Sequence, residues 1–185
     1  MKILTGRLRG RSIQFRPNPH LRPTSDRARK AVFDMLQGQI EGKYVLDLFS
    51  GTGAMGFEAL SQGAARVVFV EIDKAQSKKI EDDLRRLGLE GEGRVIAYDA
   101  LTAIRQLSKK DGRFDLIFLD PPYEKDLAQA ALQALAGSAL LSEGALAVLE
   151  CRGKEEAVEH IGDLRAVKVR DHGDTRIVLY QKEKR

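Results

Sequence analysis

Strand-length apolar runs that alternate with amphipathic segments constrain the fold of this chain more than any other feature. After residue 43, runs such as 67–70 (Val-Val-Phe-Val) and 145–150 are separated by segments with helical periodicity. Strands that are apolar on both faces are typical of a parallel sheet covered by helices. Segments 166–170 and 175–181 flank Asp-His-Gly-Asp, which predicts an antiparallel hairpin. We therefore predict an α/β, Rossmann-like, doubly wound fold with a mostly parallel seven-stranded sheet and an antiparallel C-terminal hairpin edge.

The first 30 residues are strongly basic. They contain nine Lys and Arg residues against Asp26 alone, while the whole chain carries a net charge of +4, so the remainder is acidic. Alternation at residues 12–15 predicts a small N-terminal β-hairpin, and three prolines between residues 17 and 23 predict an extended linker. We divide the chain into a basic hairpin and linker, 1–23, and one main domain, 24–185. A dense basic segment indicates a nucleic-acid contact, with the following candidates: Arg7, Arg9, Arg11, Arg22, Arg27 and Lys30. A solvated basic tail is the alternative.

An amphipathic helix follows the linker. Apolar residues recur at helical spacing between residues 28 and 36, as expected of a helix with one buried face. Thr24 or Ser25 can cap its N-terminus. Arg27, Arg29 and Lys30 lie largely off the apolar stripe, so we count all three with the basic segment.

A glycine-rich turn joins the first strand of the main domain to its next helix. Gly51 and Gly53 permit a tight turn and close approach of a ligand to the backbone, and Gly56 lets the helix lie near the strand. The next strand ends at Glu71, which can accept hydrogen bonds from ribose hydroxyls. This spacing matches the nucleotide-binding pattern G-x-G-x-x-G with a downstream acid, so we predict a nucleotide-type site.

Further acids at strand ends indicate which kind of nucleotide-type ligand the site takes. Asp47 lies four residues before Gly51, where a dinucleotide needs no carboxylate but the ammonium group of an amino-acid-bearing methyl donor does. Asp99, followed by Ala100, could accept from an adenine amine, while Ile72 and Leu101 could sandwich the adenine ring. With Glu71 and Asp120, four acids lie at the carboxyl ends of four strands, the edge where ligands bind in such sheets.

The fourth of these acids begins the tetrapeptide Asp120-Pro121-Pro122-Tyr123. Proline cannot donate to a sheet ladder and restricts the residue before it, so the strand ends at Asp120 and the following backbone is stiff. The Asp120 carboxylate and Pro121 carbonyl could accept from an exocyclic amine, while Tyr123 could stack on the base. We predict these four residues as the catalytic group. In isolation, the tetrapeptide would be read as an ordinary strand-ending turn.

Several classes of protein are disfavoured by the sequence. No apolar stretch approaches the roughly 20 residues of a membrane helix, and residues 1–7 lack the apolar region of a signal peptide. Cys151 is the single cysteine of the chain. The three histidines of the chain show no metal-ligand spacing with Cys151. We expect a cytoplasmic monomer with no metal and no membrane association.

Taken together, these motifs resemble those of the RsmD family, the class I S-adenosylmethionine-dependent 16S ribosomal RNA guanine-N2 methyltransferases. The resemblance covers nearly the whole chain and rests on residues 6–11, 22–27, 31–36, 47–56, 58–64, 120–123 and 173–175. It implies S-adenosylmethionine as cofactor, the N2 amine of a guanine in 16S ribosomal RNA as methyl acceptor, and a small-subunit particle as the partner. The target base follows from the resemblance rather than from the chemistry of the residues.

Three alternatives stay open at this point. The glycine turn and Asp120 to Tyr123 also suit adenine-N6 methylation of DNA or another RNA, although no separate domain for reading duplex DNA is evident. A nicotinamide-dependent dehydrogenase is disfavoured by Asp47 and by the lack of a convincing hydride-site constellation. A non-catalytic RNA-binding factor of ribosome assembly is disfavoured by the intact set of acids.

Overall fold

The computed structural model describes residues 1–15, 25–109, 112–122, 125–152 and 158–183. A single 3₁₀ turn, Gly6–Leu8, precedes the main domain. The helices are α1 (Asp26–Met35), α2 (Ala54–Ser61), α3 (Lys74–Leu87), α4 (Ala100–Ser108) and α5 (Lys125–Ala136). The strands are β1 (Tyr44–Asp47), β2 (Arg66–Val70), β3 (Gly93–Ile96), β4 (Phe114–Leu119), β5 (Leu141–Arg152), β6 (His160–Ile161), β7 (Leu164–His172) and β8 (Thr175–Lys182).

The described strands form one sheet in the order β3-β2-β1-β4-β5-β8-β7-β6. The first five strands pair in parallel; in the centre, Leu46 of β1 is level with Val68 of β2 and Ile117 of β4. Strand β8 runs antiparallel to both β5 and β7, so the predicted C-terminal hairpin is present. The sheet has eight strands rather than the predicted seven, because β6 adds two residues beside Leu164 and Arg165. Two residues are too few to show alternation in a sequence.

Helices cover both faces of the sheet, as the continuously apolar runs predict. One layer contains α1, α2 and α3, with Phe33, Phe57 and Ile80 packed on one face. The other contains α4 and α5, with Ile104 and Leu132 packed on the opposite face. Side chains of each strand alternate between the two layers, and burial of both faces stabilises a parallel sheet.

The predicted N-terminal hairpin is present in a short form. Lys2 and Ser12 form an antiparallel bridge, and the N–H groups of Ile3 and Ile13 donate to the carbonyls of Arg11 and Met1 at 3.0 and 2.9 Å. The backbone N–H groups of Leu4 and Thr5 donate to the Glu58 carboxylate, at 2.9 and 2.7 Å, instead of to a partner strand. The segment is therefore fastened to α2 by a side chain.

Arg29 is a correction to the predicted basic surface. Its side chain is only 1% exposed, although helical periodicity places it off the apolar stripe. It donates to the Lys2 carbonyl at 2.8 Å and to Asp26 at 2.9 Å, and its Nε lies 3.7 Å from Glu58. The N-terminal segment covers this side of α1, which the periodicity of α1 alone could not reveal.

Three further observations concern the described parts of the chain. Within them, no helix combines the length and apolar character needed to cross a membrane. No group of three His, Cys, Asp or Glu side chains among the described residues is arranged to hold a metal ion. Cys151 is buried and reduced, and it belongs to the layer formed by α4 and α5.

Candidate active site

A cavity of about 540 Å³ opens at the carboxyl ends of the parallel strands. It lies at the switch point of the sheet, between the adjacent strands β1 and β4. From there the strand order runs to β2 and β3 on one side and to β5 on the other, and open α/β sheets bind ligands at such a point. Its wall includes residues 48–52, 70–73, 98–101, 120–122 and 150. The cavity therefore collects residues at or beyond the carboxyl-terminal ends of the first five strands.

The glycine turn between β1 and α2 is shaped by backbone conformations that favour glycine. Gly51 and Gly53 have positive φ angles of 50° and 77°, and Gly53 is also the residue that caps α2. Ser50 links the turn to its neighbours: its hydroxyl donates to the Asp47 carbonyl at 2.8 Å and accepts from Val70 N–H at 3.0 Å. The turn is thus held against β2, and Gly51 lines the cavity.

Gly56 lies outside the cavity wall and serves the packing of α2 on β2. A Cβ atom at this position would come within 2.2 Å of the Phe69 ring. The Gly56 N–H donates to an oxygen of Asp47 at 3.0 Å. The third glycine therefore acts on the site through the position of the helix.

Glu71 fastens the two loops that form the cofactor side of the cavity. One carboxylate oxygen accepts from Gly51 N–H and the other from Asp73 N–H, both at 2.8 Å. Partial burial raises the pKa of Glu71 above its usual value, while these hydrogen bonds act in the opposite direction. Each carboxylate oxygen has a further lone pair, so Glu71 can also accept from a hydroxyl in the cavity.

Asp47 lies behind the glycine turn and does not line the cavity. Its side chain is 3% exposed and turns back towards Gly56. Burial raises its pKa to about 7; the Gly56 hydrogen bond lowers it, and the nearby charges of Asp120 and Glu71 raise it. The Asp47 carboxylate faces the α2 backbone, and its contact with an ammonium group stays a prediction.

Another part of the cavity wall is formed by the residues after β2 and β3. Asp99 caps α4 by accepting from Thr102 N–H at 2.8 Å, and this hydrogen bond lowers its pKa. Ile72, which is 70% exposed, and Leu101 both line the cavity, as does buried Ala100. These apolar side chains beside a carboxylate can accommodate a flat base with an amine.

Sequence reasoning missed Tyr98 on this wall. Its ring is 50% exposed and lines the cavity. The available signal was an aromatic residue directly before Asp99, the acid that closes the third strand.

The opposite end of the cavity contains the residues that follow β4. Asp120 is half-buried, Pro121 is buried and Pro122 is exposed, and all three line the cavity. Tyr123 lies outside the described residues. Glu150, at the end of β5, and Thr175, at the start of β8, also line this end and were missed. The signal for Glu150 was an apolar run that ends on an acid, as in the other strands.

The candidate nucleic-acid-binding residues are exposed wherever they are described, but they do not form one cluster with the cavity. Arg7 pairs with Glu92 beside the C-terminal end of α2, about 12 Å along that helix from the glycine turn. Arg9 and Arg11 follow on the same segment. Residue 22 lies outside the described ranges.

The first turn of α1 is closer to the cavity. Ser25 lines the wall and caps α1 by accepting from Ala28 N–H at 3.1 Å. Exposed Arg27 lies within one helical turn of it. Exposed Lys30 pairs with Asp34 at 2.9 Å.

The fold is that of Rossmann-like methyltransferases. The Escherichia coli structure of yhhF, provisionally named a methyltransferase, superposes with a TM-score of 0.86 at 30% identity, covering 100% of this chain and 99% of that one. A more distant structure, SMU.776 in complex with S-adenosylhomocysteine, shares the fold with a TM-score of 0.67 at 16% identity, covering 82% of this chain and 48% of that one.

Sequence comparisons identify the family. The family model described as Conserved hypothetical protein 95 matches residues 1–181. Ribosomal RNA small subunit methyltransferase D of Haemophilus influenzae is 35% identical over 151 residues, which are 81% of this chain and 78% of that protein. YlbH of Bacillus subtilis, provisionally named an rRNA methyltransferase, is 32% identical over 98% of this chain and 99% of its own length. The chain belongs to the RsmD family.

Proposed function

We propose that this chain transfers a methyl group from S-adenosylmethionine to the N2 amine of a guanine in 16S ribosomal RNA. One observation carries the proposal: Asp120, Pro121 and Pro122 line the same cavity as the glycine turn, Glu71 and residues 98–101. A single cavity with a nucleoside-type wall at one end and an amine-accepting group at the other suits a two-substrate transfer. The name of the Haemophilus influenzae relative supports small-subunit ribosomal RNA as the acceptor.

The cofactor end fits the proposed methyl donor. Ile72 and Leu101 would pack on the adenine ring, Asp99 would accept from its amine, and Glu71 would accept from the ribose hydroxyls. Gly51 permits close approach of the ligand to the backbone. When bound, the donor supplies an electrophilic methyl group on a sulfonium centre. Asp47 would act through the glycine turn that it braces.

The acceptor end supplies positioning and hydrogen-bond acceptors. An exocyclic amine is a weak nucleophile because its lone pair is delocalised into the base. Acceptance of its N–H bonds by the Asp120 carboxylate and the Pro121 carbonyl would localise that lone pair towards the methyl group. The two prolines restrict the backbone that carries these acceptors, so the rate enhancement would come mainly from orientation. Asp120 would also receive the released proton.

The target nucleotide is proposed to be unpaired. Stacking on Tyr123 would contribute roughly 1–3 kcal/mol per base, while extrusion of a paired base costs a few kcal/mol. The two are comparable, which favours a loop nucleotide. Arg27 and Lys30 would contact phosphates near the cavity, and Arg7, Arg9 and Arg11 would contact RNA about one helix length away. Contacts spread this widely suit folded RNA in a small-subunit particle, with the chain acting as a monomer.

Labelled-methyl transfer tests the proposal directly. The chain is incubated with labelled S-adenosylmethionine and with 16S RNA, 23S RNA or small-subunit particles, and the modified base is mapped. Label on the N2 amine of one guanine of 16S RNA, free or in the particle, is expected. Label on adenine N6 alone would overturn the base assignment, and absence of label from every RNA would overturn the methyl-transfer proposal.

The role of Asp120 has a separate test. Asp120→Ala is expected to abolish transfer while calorimetry shows nearly unchanged affinity for S-adenosylhomocysteine, because Asp120 lies at the acceptor end. Asp82→Ala is the matched control and is expected to retain activity, because half-buried Asp82 lies on α3 outside the cavity wall. Full activity of Asp120→Ala would refute the assigned role. Binding of NAD in place of S-adenosylhomocysteine would favour the dehydrogenase alternative.

A further inference from the structure

Glu150 is a second carboxylate at the acceptor end of the cavity. It lies at the carboxyl end of β5, is half-buried and lines the cavity together with Asp120. The parallel register between β4 and β5 sets Leu119 level with Leu149. Glu150 is the next residue of β5, and Asp120 is the first residue after β4, so the two acids follow a level pair of residues at the edge of two strands that are about 4.8 Å apart.

The alternation of the two strands places both acids on one face of the sheet. Phe118 and Val148 pack into the layer of α1 to α3, whereas Leu119 and Leu149 pack into the layer of α4 and α5. Side chains two residues apart in a strand share a face. Glu150 consequently follows Val148 within β5, Asp120 continues the alternation of Phe118 one residue beyond β4, and both acids line the cavity where the acceptor base would lie.

A guanine presents two adjacent donors on one edge: the N2 amine, which would be methylated, and the N1–H. We propose that Glu150 accepts a hydrogen bond from the N1–H of the guanine whose N2 amine is held by Asp120, and that Glu150 thereby determines the choice of base. This inference rests on the proposed function. It assigns Glu150 to the substrate edge and leaves the donor-binding wall unchanged.

The chemistry of the bases explains the discrimination. In adenine, the ring nitrogen beside the exocyclic amine carries a lone pair and no hydrogen, so it would face the Glu150 carboxylate as acceptor against acceptor. A polar site rejects an analogue that lacks the expected donor because the buried acceptor is left unpaired. Loss of one hydrogen bond to a charged group corresponds to roughly a ten- to hundredfold change in kcat/KM. Acceptance from N1–H would also increase the electron density on the N2 amine.

The test uses an RNA in which the mapped target guanine is replaced by 2-aminopurine. This base keeps the N2 amine but has a lone pair at N1. Wild-type chain is expected to methylate it with a kcat/KM at least tenfold below that for guanine RNA. In Glu150→Gln, the side-chain amide can donate to that lone pair, so the guanine-to-2-aminopurine ratio should fall at least tenfold. Glu143→Gln, an exposed position on the same strand, should keep the wild-type ratio.

The outcomes separate this inference from the proposed function. If wild-type chain methylates the two RNAs with equal kcat/KM, the N1–H contact is refuted, and this comparison needs no variant. An unchanged ratio in folded Glu150→Gln likewise refutes the role of Glu150, while methylation of guanine RNA still supports the proposed function. Absence of methylation of guanine RNA by wild-type chain overturns the proposed function and this inference with it.

Discussion

The buried Glu58 carboxylate connects the N-terminal segment to the main domain, and its neutralisation offers a quantitative test. Glu58 is 1% exposed on α2. It accepts from Leu4 N–H at 2.9 Å, from Thr5 N–H at 2.7 Å and from the Thr5 hydroxyl at 2.5 Å. The Oε2 atom, which accepts from Leu4 N–H, also lies 3.7 Å from Nε of the buried Arg29 guanidinium. Glu58→Gln removes the charge and replaces one accepting oxygen by a donor.

The expected loss of stability follows from these contacts. Breaking a buried ion pair by removing one charge costs about 3–5 kcal/mol, and a buried donor left without an acceptor costs about 1–3 kcal/mol. Arg29 keeps its hydrogen bonds to Asp26 and to the Lys2 carbonyl, and glutamine keeps one accepting oxygen. We therefore expect the lower end of the first range, a decrease in the free energy of unfolding of about 3 kcal/mol.

Urea unfolding followed by circular dichroism measures this loss. Glu81→Gln is the matched control, because Glu81 is an exposed helical glutamate, 49% accessible, that pairs with Lys78. Exposed ion pairs contribute about 0–1 kcal/mol, so the control should stay close to wild type. A loss below about 1 kcal/mol in Glu58→Gln, or an equal loss in the control, would refute the role of Glu58 as a buried fastening.

Three further predictions concern other parts of the molecule. Gly56→Ala should lower the free energy of unfolding by about 1–3 kcal/mol, because the new methyl group overpacks against Phe69. Gly91→Ala is the control and should not lower it, because nothing lies within 4 Å of the new Cβ. Equal urea midpoints for the two variants would contradict the packing role of Gly56. Folding raises the Asp47 pKa from 3.8 to about 7, so the folded state binds the proton more tightly than the unfolded state. The free energy of unfolding of the wild-type chain should therefore fall by up to about 4 kcal/mol between pH 4 and 7, relative to that of Asp47→Asn. Parallel pH profiles of the two proteins would refute this. With about six phosphate contacts, RNA affinity should drop on the order of a thousandfold between 50 and 200 mM salt, and glutamine at positions 9 and 11 should reduce the slope by about two; an unchanged slope would indicate a solvated basic tail.

The sequence by itself determined the architecture and the location of the site. Apolar runs and capping residues report local preferences, so the run 67–70 falls within β2 (Arg66–Val70), and Ser25 caps α1 (Asp26–Met35) as predicted. Strand direction follows from the strand-helix alternation, and it brings the acids after successive strands to one edge. Asp120, Glu71 and Asp99 consequently share a cavity.

Only the tertiary structure decided what individual charged side chains contact. Arg29 is buried because a segment distant in sequence covers α1, and Asp47 turns away from the cavity because the α2 backbone supplies a donor. Glu150 acquires its proposed role from the register of β4 and β5, which aligns Leu149 and Leu119, the residues directly before Glu150 and Asp120. Periodicity records which face of an element is apolar, whereas the partner of a polar group depends on segments that only folding brings together.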